Sequence, residues 1–190
     1  MSVIKKFRIT KFKNNKPLIS LKKISLSFKK NHLILDNISL DISKGQVIGL
    51  LGPNGAGKSS LMNLITGVIQ PNYGKIEINN EDITQYPIYT RTKKFKLSMV
   101  PQIGGFFSDL TAEDNLNAIG EILIKDTKKR KLKIEELISK FELDAVRKVE
   151  AKFLSGGMKR RLVISMSLLG EPEILLMDEP LAALDPQTIQ

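Results

Sequence analysis

The sequence contains no cysteine and only one histidine, His32, among its 190 residues. Without cysteine, the chain cannot form disulfides, thiolate nucleophiles or Cys-based zinc sites. A single histidine excludes a His-cluster metal site and argues against a Ser-His-Asp triad. The longest stretch without charge, residues 59–74, contains Asn, Gln and Pro and is shorter than the roughly 18 residues of a membrane helix. No apolar h-region follows Met1, so we expect a cytoplasmic protein.

Acidic residues are absent from the first 30 positions, which hold ten Lys or Arg residues. This stretch accounts for the whole net charge of +10, because the other 160 residues hold 20 side chains of each sign. The globular body is therefore not expected to bind nucleic acid. We expect residues 1–17 to form a flexible basic arm, with contact to anionic lipid or RNA as the alternative.

Hydrophobic patterning predicts an α/β protein with a helical insert. Strands are predicted at residues 21–28, 33–42, 47–51, 75–79, 97–100 and 173–177. The run 47–51 is nearly continuously apolar, which is typical of a strand buried on both faces. The spacing of Leu61, Leu64, Ile65 and Val68 predicts a first helix, and a second is predicted to begin at Thr111. A lysine-rich link (128–133) is followed by the apolar stripe Ile134, Leu137, Ile138 and Phe141, which predicts a third helix. A further helix is predicted over residues 158–169. Residues 18–102 and 170–190 then form the core, and residues 103–169 form a helical subdomain.

Residues 52–59 match the pattern G-x-x-x-x-G-K-[ST] between a predicted strand and a predicted helix. Glycines let the backbone amides curl around phosphate oxygens, and the helix N-terminus adds positive charge. We expect Lys58 to reach the β- and γ-phosphates of a bound nucleotide and the Ser59 hydroxyl to bind Mg²⁺. The expected nucleotide-binding residues here are Gly52, Pro53, Asn54, Gly55, Ala56, Gly57, Lys58, Ser59 and Ser60.

Two carboxylates follow the predicted strand 173–177. Asp178 is expected to hold Mg²⁺ through its water shell. Glu179 is expected to orient, or take a proton from, the water that attacks the γ-phosphate. The alternative interpretation is a solvated acidic pair at a strand end.

A pentapeptide ahead of these acids resembles the signature motif of ATP-binding-cassette (ABC) ATPases. Its residues are Leu154, Ser155, Gly156, Gly157 and Met158. The resemblance runs from about Leu21 to the end of the chain. It implies a P-loop NTPase fold with a mixed β N-terminal part, a parallel core sheet and an α-helical subdomain. It also implies that Phe28 stacks on adenine, that Gln102 is the Q-loop glutamine at Mg²⁺ and the attacking water, and that Asp185 belongs to the D-loop.

The same resemblance implies a head-to-tail homodimer with two ATP molecules at its interface. Ser155, Gly156 and Gly157 of one subunit would then face the γ-phosphate held by Lys58 of the other. It implies separate transmembrane permease subunits and a peripheral location on the cytoplasmic face of the inner membrane.

The chain departs from the family pattern in two places. Met158 stands where glutamine is usual, and the chain ends at Gln190, before the position of the family's switch histidine and the strand that leads to it. We therefore expect a truncated sequence, a core that is incomplete at its C-terminus, weak nucleotide binding and poor hydrolysis.

Residues 82–116 indicate which ABC ATPases the chain is most similar to. Pro87, its spacing to Arg91 and the retained Gln102 resemble ATPases of lipopolysaccharide export. We therefore expect an ATPase that powers this export, with branched-chain amino-acid import or other ABC transport as alternatives. Two alternatives come from other functional classes. One is a non-transport ABC protein acting on the ribosome or DNA, and the other is a hydrolysis-deficient nucleotide-binding module.

Overall fold

A computed structural model of the chain describes residues 16–29 and 32–179. The chain divides into two compact units, of which the first ends at Phe95 and the second begins at Lys96. Most of the predicted basic arm and Asp185 of the predicted D-loop lie outside the described residues. None of the described helices has the length and hydrophobicity needed to cross a membrane.

Within its described residues, the first unit contains a four-stranded antiparallel sheet and two helices. In chain order its elements are β1 (Ile19–Lys29), β2 (His32–Ile42), α1 (Lys58–Thr66), β3 (Tyr73–Ile78), β4 (Glu81–Asp82) and α2 (Ile88–Phe95). The order across the sheet is β2-β1-β3-β4. The buried apolar side chains of β1 and β3 are Ile19, Leu21, Ile24, Leu26, Ile76 and Ile78. The strands predicted at 21–28, 33–42 and 75–79 are thereby confirmed.

The strand predicted at residues 47–51 is wrong. Val47 is fully exposed, Leu51 is 87% exposed, and the segment has no strand conformation. An apolar run becomes a strand only when a neighbour supplies hydrogen bonds to its backbone, and no described strand pairs with this segment. The predicted helix is confirmed as α1, although it ends before Val68, because Gly67 adopts a left-handed φ of 85°.

Arg91 of α2 is completely buried and holds α1 in place. Its guanidinium donates hydrogen bonds to the carbonyl oxygens of Leu64 (2.6 Å), Ile65 (3.0 Å), Tyr86 (2.8 Å) and Thr84 (2.9 Å). The first two belong to the last turn of α1, where carbonyls have no partner within the helix. Burial lowers the pKa of Arg91, yet arginine stays charged in proteins.

Replacement of this arginine tests its structural role. Arg91→Met is expected to lower the free energy of unfolding by about 3 kcal/mol or more, because buried carbonyls lose their donors. Lys93→Met, on the exposed face of the same helix, is the matched control and should change it by less than about 0.5 kcal/mol. Urea unfolding measures both; equal effects of the two variants would contradict the role of Arg91.

Up to residue 179, where the described part of the chain ends, the second unit contains a parallel strand pair and three α-helices. Its elements are β5 (Leu97–Val100), α3 (Ala112–Leu123), α4 (Thr127–Lys140), the short 3₁₀ helices Asp144–Val146 and Ala151–Phe153, α5 (Gly156–Leu168) and β6 (Ile174–Met177). Strands β5 and β6 are parallel, with Leu97 opposite Ile174 and Val100 opposite Met177. The core includes Ala112, Leu116, Ile134, Leu137, Ile138, Leu143, Leu154, Leu162 and Met166.

Side-chain caps decide where two of these helices begin. The Thr111 hydroxyl accepts a hydrogen bond from the Asp114 N–H at 3.1 Å, which confirms the predicted start of α3. The lysine-rich stretch 128–133 was predicted as a link and instead forms the first half of α4. The Asp126 carboxylate causes this difference, since it accepts from the backbone N–H groups of Lys128 and Lys129.

An ion cluster lies at the start of α3. The Glu113 carboxylate accepts a hydrogen bond from Arg147 at 2.6 Å and also pairs with Lys148. Together these interactions lower the pKa of Glu113 to about 2, and the hydrogen bond from Arg147 has the largest effect. Arg147 also bonds Glu135 of α4 at 2.8 Å, so the cluster connects α3 to α4.

Candidate functional site

The glycine-rich loop leads directly into α1. The Lys58 ammonium donates hydrogen bonds to the carbonyl oxygens of Gly52 (2.8 Å) and Pro53 (3.1 Å). Gly52, Pro53, Asn54 and Gly55 are all exposed. The side chain of Lys58 is therefore folded back over an accessible loop.

Gly57 fixes this loop against β2. It is buried and has a φ of 86°, and a Cβ added here would lie 2.8 Å from Leu35 Cδ2 and 3.3 Å from the Ile34 carbonyl oxygen. A φ in this region favours glycine, and any side chain would push the loop away from the strand. Both the sequence pattern and the packing against β2 therefore require glycine at position 57.

The start of α1 has the chemistry of an anion receptor. No side chain caps this helix, and its first turn contains no acidic residue. The free N–H groups of a first turn carry a partial positive charge. Ser59 and Ser60 lie in this turn and are partly exposed. Together with the Lys58 ammonium, these groups can accept a polyanion such as a triphosphate.

Phe28 lies on β1, the strand that pairs with β2. Its side chain is 63% exposed, which is unusual for a large aromatic residue. It follows Leu26, which is opposite Leu35, the residue in contact with Gly57. The structure thus places Phe28 in the same unit as the loop, with much of its surface free for contact with a ligand.

Gln102 and Glu179 come together in the second unit. Both follow parallel strands, and the ladder continues past β6 with the Asp178 N–H bonded to the Val100 carbonyl at 3.0 Å. The Gln102 side-chain amide donates a hydrogen bond to Glu179 Oε2 at 2.5 Å. The two residues for which the sequence predicts a shared catalytic role are therefore in direct contact.

The two adjacent acids have different surroundings. Asp178 is buried, whereas Glu179 is partly exposed. Glu179 also has a left-handed φ of 45°, a conformation that costs free energy in a residue with a Cβ and is concentrated at functional sites. The two neighbouring acids therefore differ in exposure, and Glu179 has the left-handed backbone conformation.

The predicted signature forms the start of α5. Ser155 is its N-cap, and the serine hydroxyl accepts a hydrogen bond from the Met158 N–H at 3.2 Å. Ser155 and Gly156 are exposed, while Leu154 is buried in the core and Met158 packs against it. The apolar ends of the motif anchor it, and its middle presents backbone N–H groups to solvent.

Sequence reasoning missed Arg160. This arginine of α5 is buried and donates hydrogen bonds to the carbonyl oxygens of Pro101 (2.6 Å) and Asp178 (3.0 Å). Burial lowers its pKa, and the charge of Asp178 acts in the opposite direction. One sequence signal could have found it: Arg160 lies three residues before the buried Val163, so a basic residue occupies the inward face of the helix.

The glycine-rich loop leading into a helix and the acids after a parallel strand are features of a P-loop nucleoside triphosphatase, and the capped Ser-Gly-Gly turn is the motif that resembles the ABC signature. The chain matches the ABC transporter family over residues 35–182. It therefore belongs to the ABC transporter family, as the signature predicted.

Two relatives show how much of a longer protein this chain represents. It is 38% identical over 160 residues to an ABC transporter ATP-binding protein of Rhizobium meliloti, and the match covers 84% of the chain and 59% of the relative. It is 34% identical over 173 residues to the lipopolysaccharide export system ATP-binding protein LptB of Haemophilus influenzae, with 90% and 71% covered. The chain thus spans about three fifths of the length of the first relative.

A solved structure confirms the fold class. The ATP-binding cassette MJ0796, described as a dimer in a post-hydrolysis state bound to ADP and Pi, matches with a TM-score of 0.79 and 27% identity. The match covers 90% of this chain and 77% of MJ0796. The fold is that of an ABC ATPase domain, as predicted.

Proposed function

We propose that this chain is the ATP-binding and ATP-hydrolysing subunit of an ABC transporter. The observation that carries the proposal is the phosphate loop, where Gly57 packs against β2 and Lys58 folds over the exposed carbonyls. Membership of the ABC transporter family supports ATP as the ligand. The direct test is the rate of ATP hydrolysis by the purified protein, with the Lys58→Ala variant as the negative control.

ATP binding assigns a separate task to each part of the loop. The Lys58 ammonium exchanges its bonds to Gly52 and Pro53 for oxygens of the β- and γ-phosphates. The free N–H groups at the start of α1 bind the remaining phosphate oxygens. The residues proposed to form this site are Phe28, Gly52, Pro53, Asn54, Gly55, Ala56, Gly57, Lys58, Ser59 and Ser60.

We propose that the bound nucleotide carries Mg²⁺. Ser59, Gln102 and Asp178 offer oxygen atoms, which this ion prefers. Among the described residues, no group of three His, Cys, Asp or Glu side chains could hold a metal. When bound, Mg²⁺ would neutralise charge on the phosphates.

Glu179 is proposed as the residue that orients or deprotonates the attacking water. Its carboxylate already accepts a hydrogen bond from Gln102, so the glutamine fixes one oxygen and leaves the other for water. Because Gln102 holds the carboxylate in one orientation, the second oxygen is the atom that would accept a proton from the water. Gln102 is proposed to contact the same water.

The signature turn is proposed to act in a second copy of the chain. Ser155, Gly156 and Gly157 begin a helix whose first turn has no acidic residue, so it suits the γ-phosphate held by Lys58 of the other subunit. In the resulting head-to-tail homodimer, ATP connects the subunits. Leu154 and Met158 anchor the turn.

Lipopolysaccharide export is the transport process we propose. The support is the similarity to LptB of Haemophilus influenzae over 90% of this chain; the more similar Rhizobium meliloti relative is named without a substrate. The subunit would bind separate permease subunits on the cytoplasmic face of the inner membrane. Co-purification with permeases of lipopolysaccharide export supports this process, whereas amino-acid permeases would favour import.

Phe28→Ala tests the proposed adenine contact. We expect the Kd for ATP to rise about tenfold, because one stacked base contributes about 1–3 kcal/mol. The Kd for inorganic triphosphate, which has no base, should not change. Isothermal titration calorimetry measures the Kd of the variant for each ligand. The control is Leu33→Ala, which truncates a second exposed apolar side chain of the same sheet. Equal weakening for both ligands would remove Phe28 from the site.

A further inference from the structure

The guanidinium of Arg160 bridges the ends of two parallel strands. Nη1 donates to the Pro101 carbonyl at 2.6 Å and Nη2 to the Asp178 carbonyl at 3.0 Å. These carbonyls belong to the residues immediately before Gln102 and Glu179. A guanidinium presents several N–H donors in one rigid plane, so a single side chain fixes both strand ends at once.

The backbone at this point needs such support. Among the described residues, the last main-chain hydrogen bond between the strands joins the Asp178 N–H to the Val100 carbonyl. The chain beyond it turns through the left-handed conformation of Glu179, which persists only when its surroundings hold it. The geometry of the Gln102–Glu179 hydrogen bond therefore depends on the contacts of the preceding residues.

Arg160 also connects this pair to the signature turn. It lies on α5 five residues after Ser155, the N-cap of the same helix. A short α-helix is rigid, so a shift of its N-terminus moves the Arg160 side chain and the two strand ends with it. The exposed turn and the Gln102–Glu179 pair are thus joined by one helix and one side chain.

We propose that Arg160 is a positioning residue that holds Gln102 and Glu179 in register and couples them to the signature end of α5. The inference rests on the proposed ATPase function. In the proposed dimer, the signature turn faces the ATP of the partner subunit, whereas the Gln102–Glu179 pair belongs to the other nucleotide site. Arg160 then transmits the state of one nucleotide site to the hydrolytic pair of the other.

Steady-state kinetics separate positioning from binding. Arg160→Gln is expected to lower kcat for ATP hydrolysis about tenfold or more while KM stays within about twofold, since only the pair that acts on the transition state is disturbed. The matched control is Arg161→Gln, which removes the neighbouring arginine of α5. Arg161 is exposed and pairs with Glu142 at 2.6 Å on the surface, so neither parameter should change.

A double-mutant cycle tests whether Arg160 acts through the pair. In a Gln102→Ala background, Arg160→Gln should lower kcat by less than about twofold, because residues that act as one unit are not additive. A purely structural arginine would lower kcat by the same factor in both backgrounds. Equal factors, or an unchanged kcat for Arg160→Gln alone, would overturn the proposal.

Hydrogen exchange provides a readout that does not need catalysis. Arg160→Gln should accelerate amide exchange in peptides that contain Gln102 and Glu179, and Arg161→Gln should not. If the Gln variant does not fold, Arg160→Lys retains the charge and the apolar stem, and we expect faster exchange at the strand end that loses its donor. If the unmodified protein hydrolyses no ATP, the proposed function is contradicted, and hydrogen exchange alone tests the positioning role of Arg160. Unchanged amide exchange in Arg160→Gln would then reject that role.

Discussion

Lys58→Ala is expected to weaken ATP binding about a hundredfold or more. The ammonium already bonds two loop carbonyls, those of Gly52 and Pro53, so it is held at the mouth of the loop before nucleotide arrives. Hydrogen bonds to a charged group contribute about 1.5–3 kcal/mol each, and a loss of about 3 kcal/mol corresponds to about a hundredfold in Kd. Titration with a fluorescent ATP analogue measures the change.

Two further variants make this result specific. Lys44→Ala removes an exposed lysine of the same unit outside the phosphate loop and should leave the Kd within about twofold, because an isolated surface charge is largely screened. Lys58→Met retains most of the side-chain length without the charge, and we expect it to bind ATP as weakly as Lys58→Ala. Unchanged affinity in both Lys58 variants would show that residues 52–59 are not a phosphate loop.

The local signals in the sequence predicted much of the fold. Gly57 and Lys58 were predicted because a phosphate loop needs these residue types at this spacing, and the packing of Gly57 against β2 leaves no room for a side chain. The start of α3 at Thr111 was predicted because a side-chain cap acts within three residues. The strands β5 and β6 were found from short apolar runs. Each of these signals is carried by residue types that lie close together in the sequence.

Interactions between distant residues explain the errors. The run 47–51 has the composition of a buried strand but pairs with no described strand, and composition cannot report whether a partner exists. The helix α2 was missed because it spans only eight residues and contains three basic side chains. Its key residue, Arg91, binds carbonyls of α1 that lie 26 and 27 positions away.

The candidate site shows the same division. The sequence predicted that Gln102 and Glu179 act together, and the structure places them in contact. It did not predict Arg160, whose partners are main-chain carbonyls. Every residue has a carbonyl, so such a bond leaves no signature in the amino-acid types of its acceptors.

Glu179→Gln is expected to leave ATP affinity within about twofold and to lower kcat about a hundredfold or more, the range of general acid–base catalysis. The glutamine side chain has nearly the same shape, and its amide oxygen still accepts the bond from Gln102. The substitution therefore preserves the geometry of the pair and removes only the ability to accept a proton.

Retention of unhydrolysed ATP should then make the dimer persist. We expect Glu179→Gln with ATP to sediment as a dimer, and the same variant with ADP to sediment as a monomer, because the γ-phosphate is the proposed contact for Ser155 and Gly156 of the other subunit. Glu173→Gln, an exposed acid just before β6, is the matched control and should hydrolyse ATP at the normal rate. Normal hydrolysis by Glu179→Gln would exclude this carboxylate as the proton acceptor. Lost hydrolysis without a dimer would retain Glu179 and reject the proposed head-to-tail arrangement.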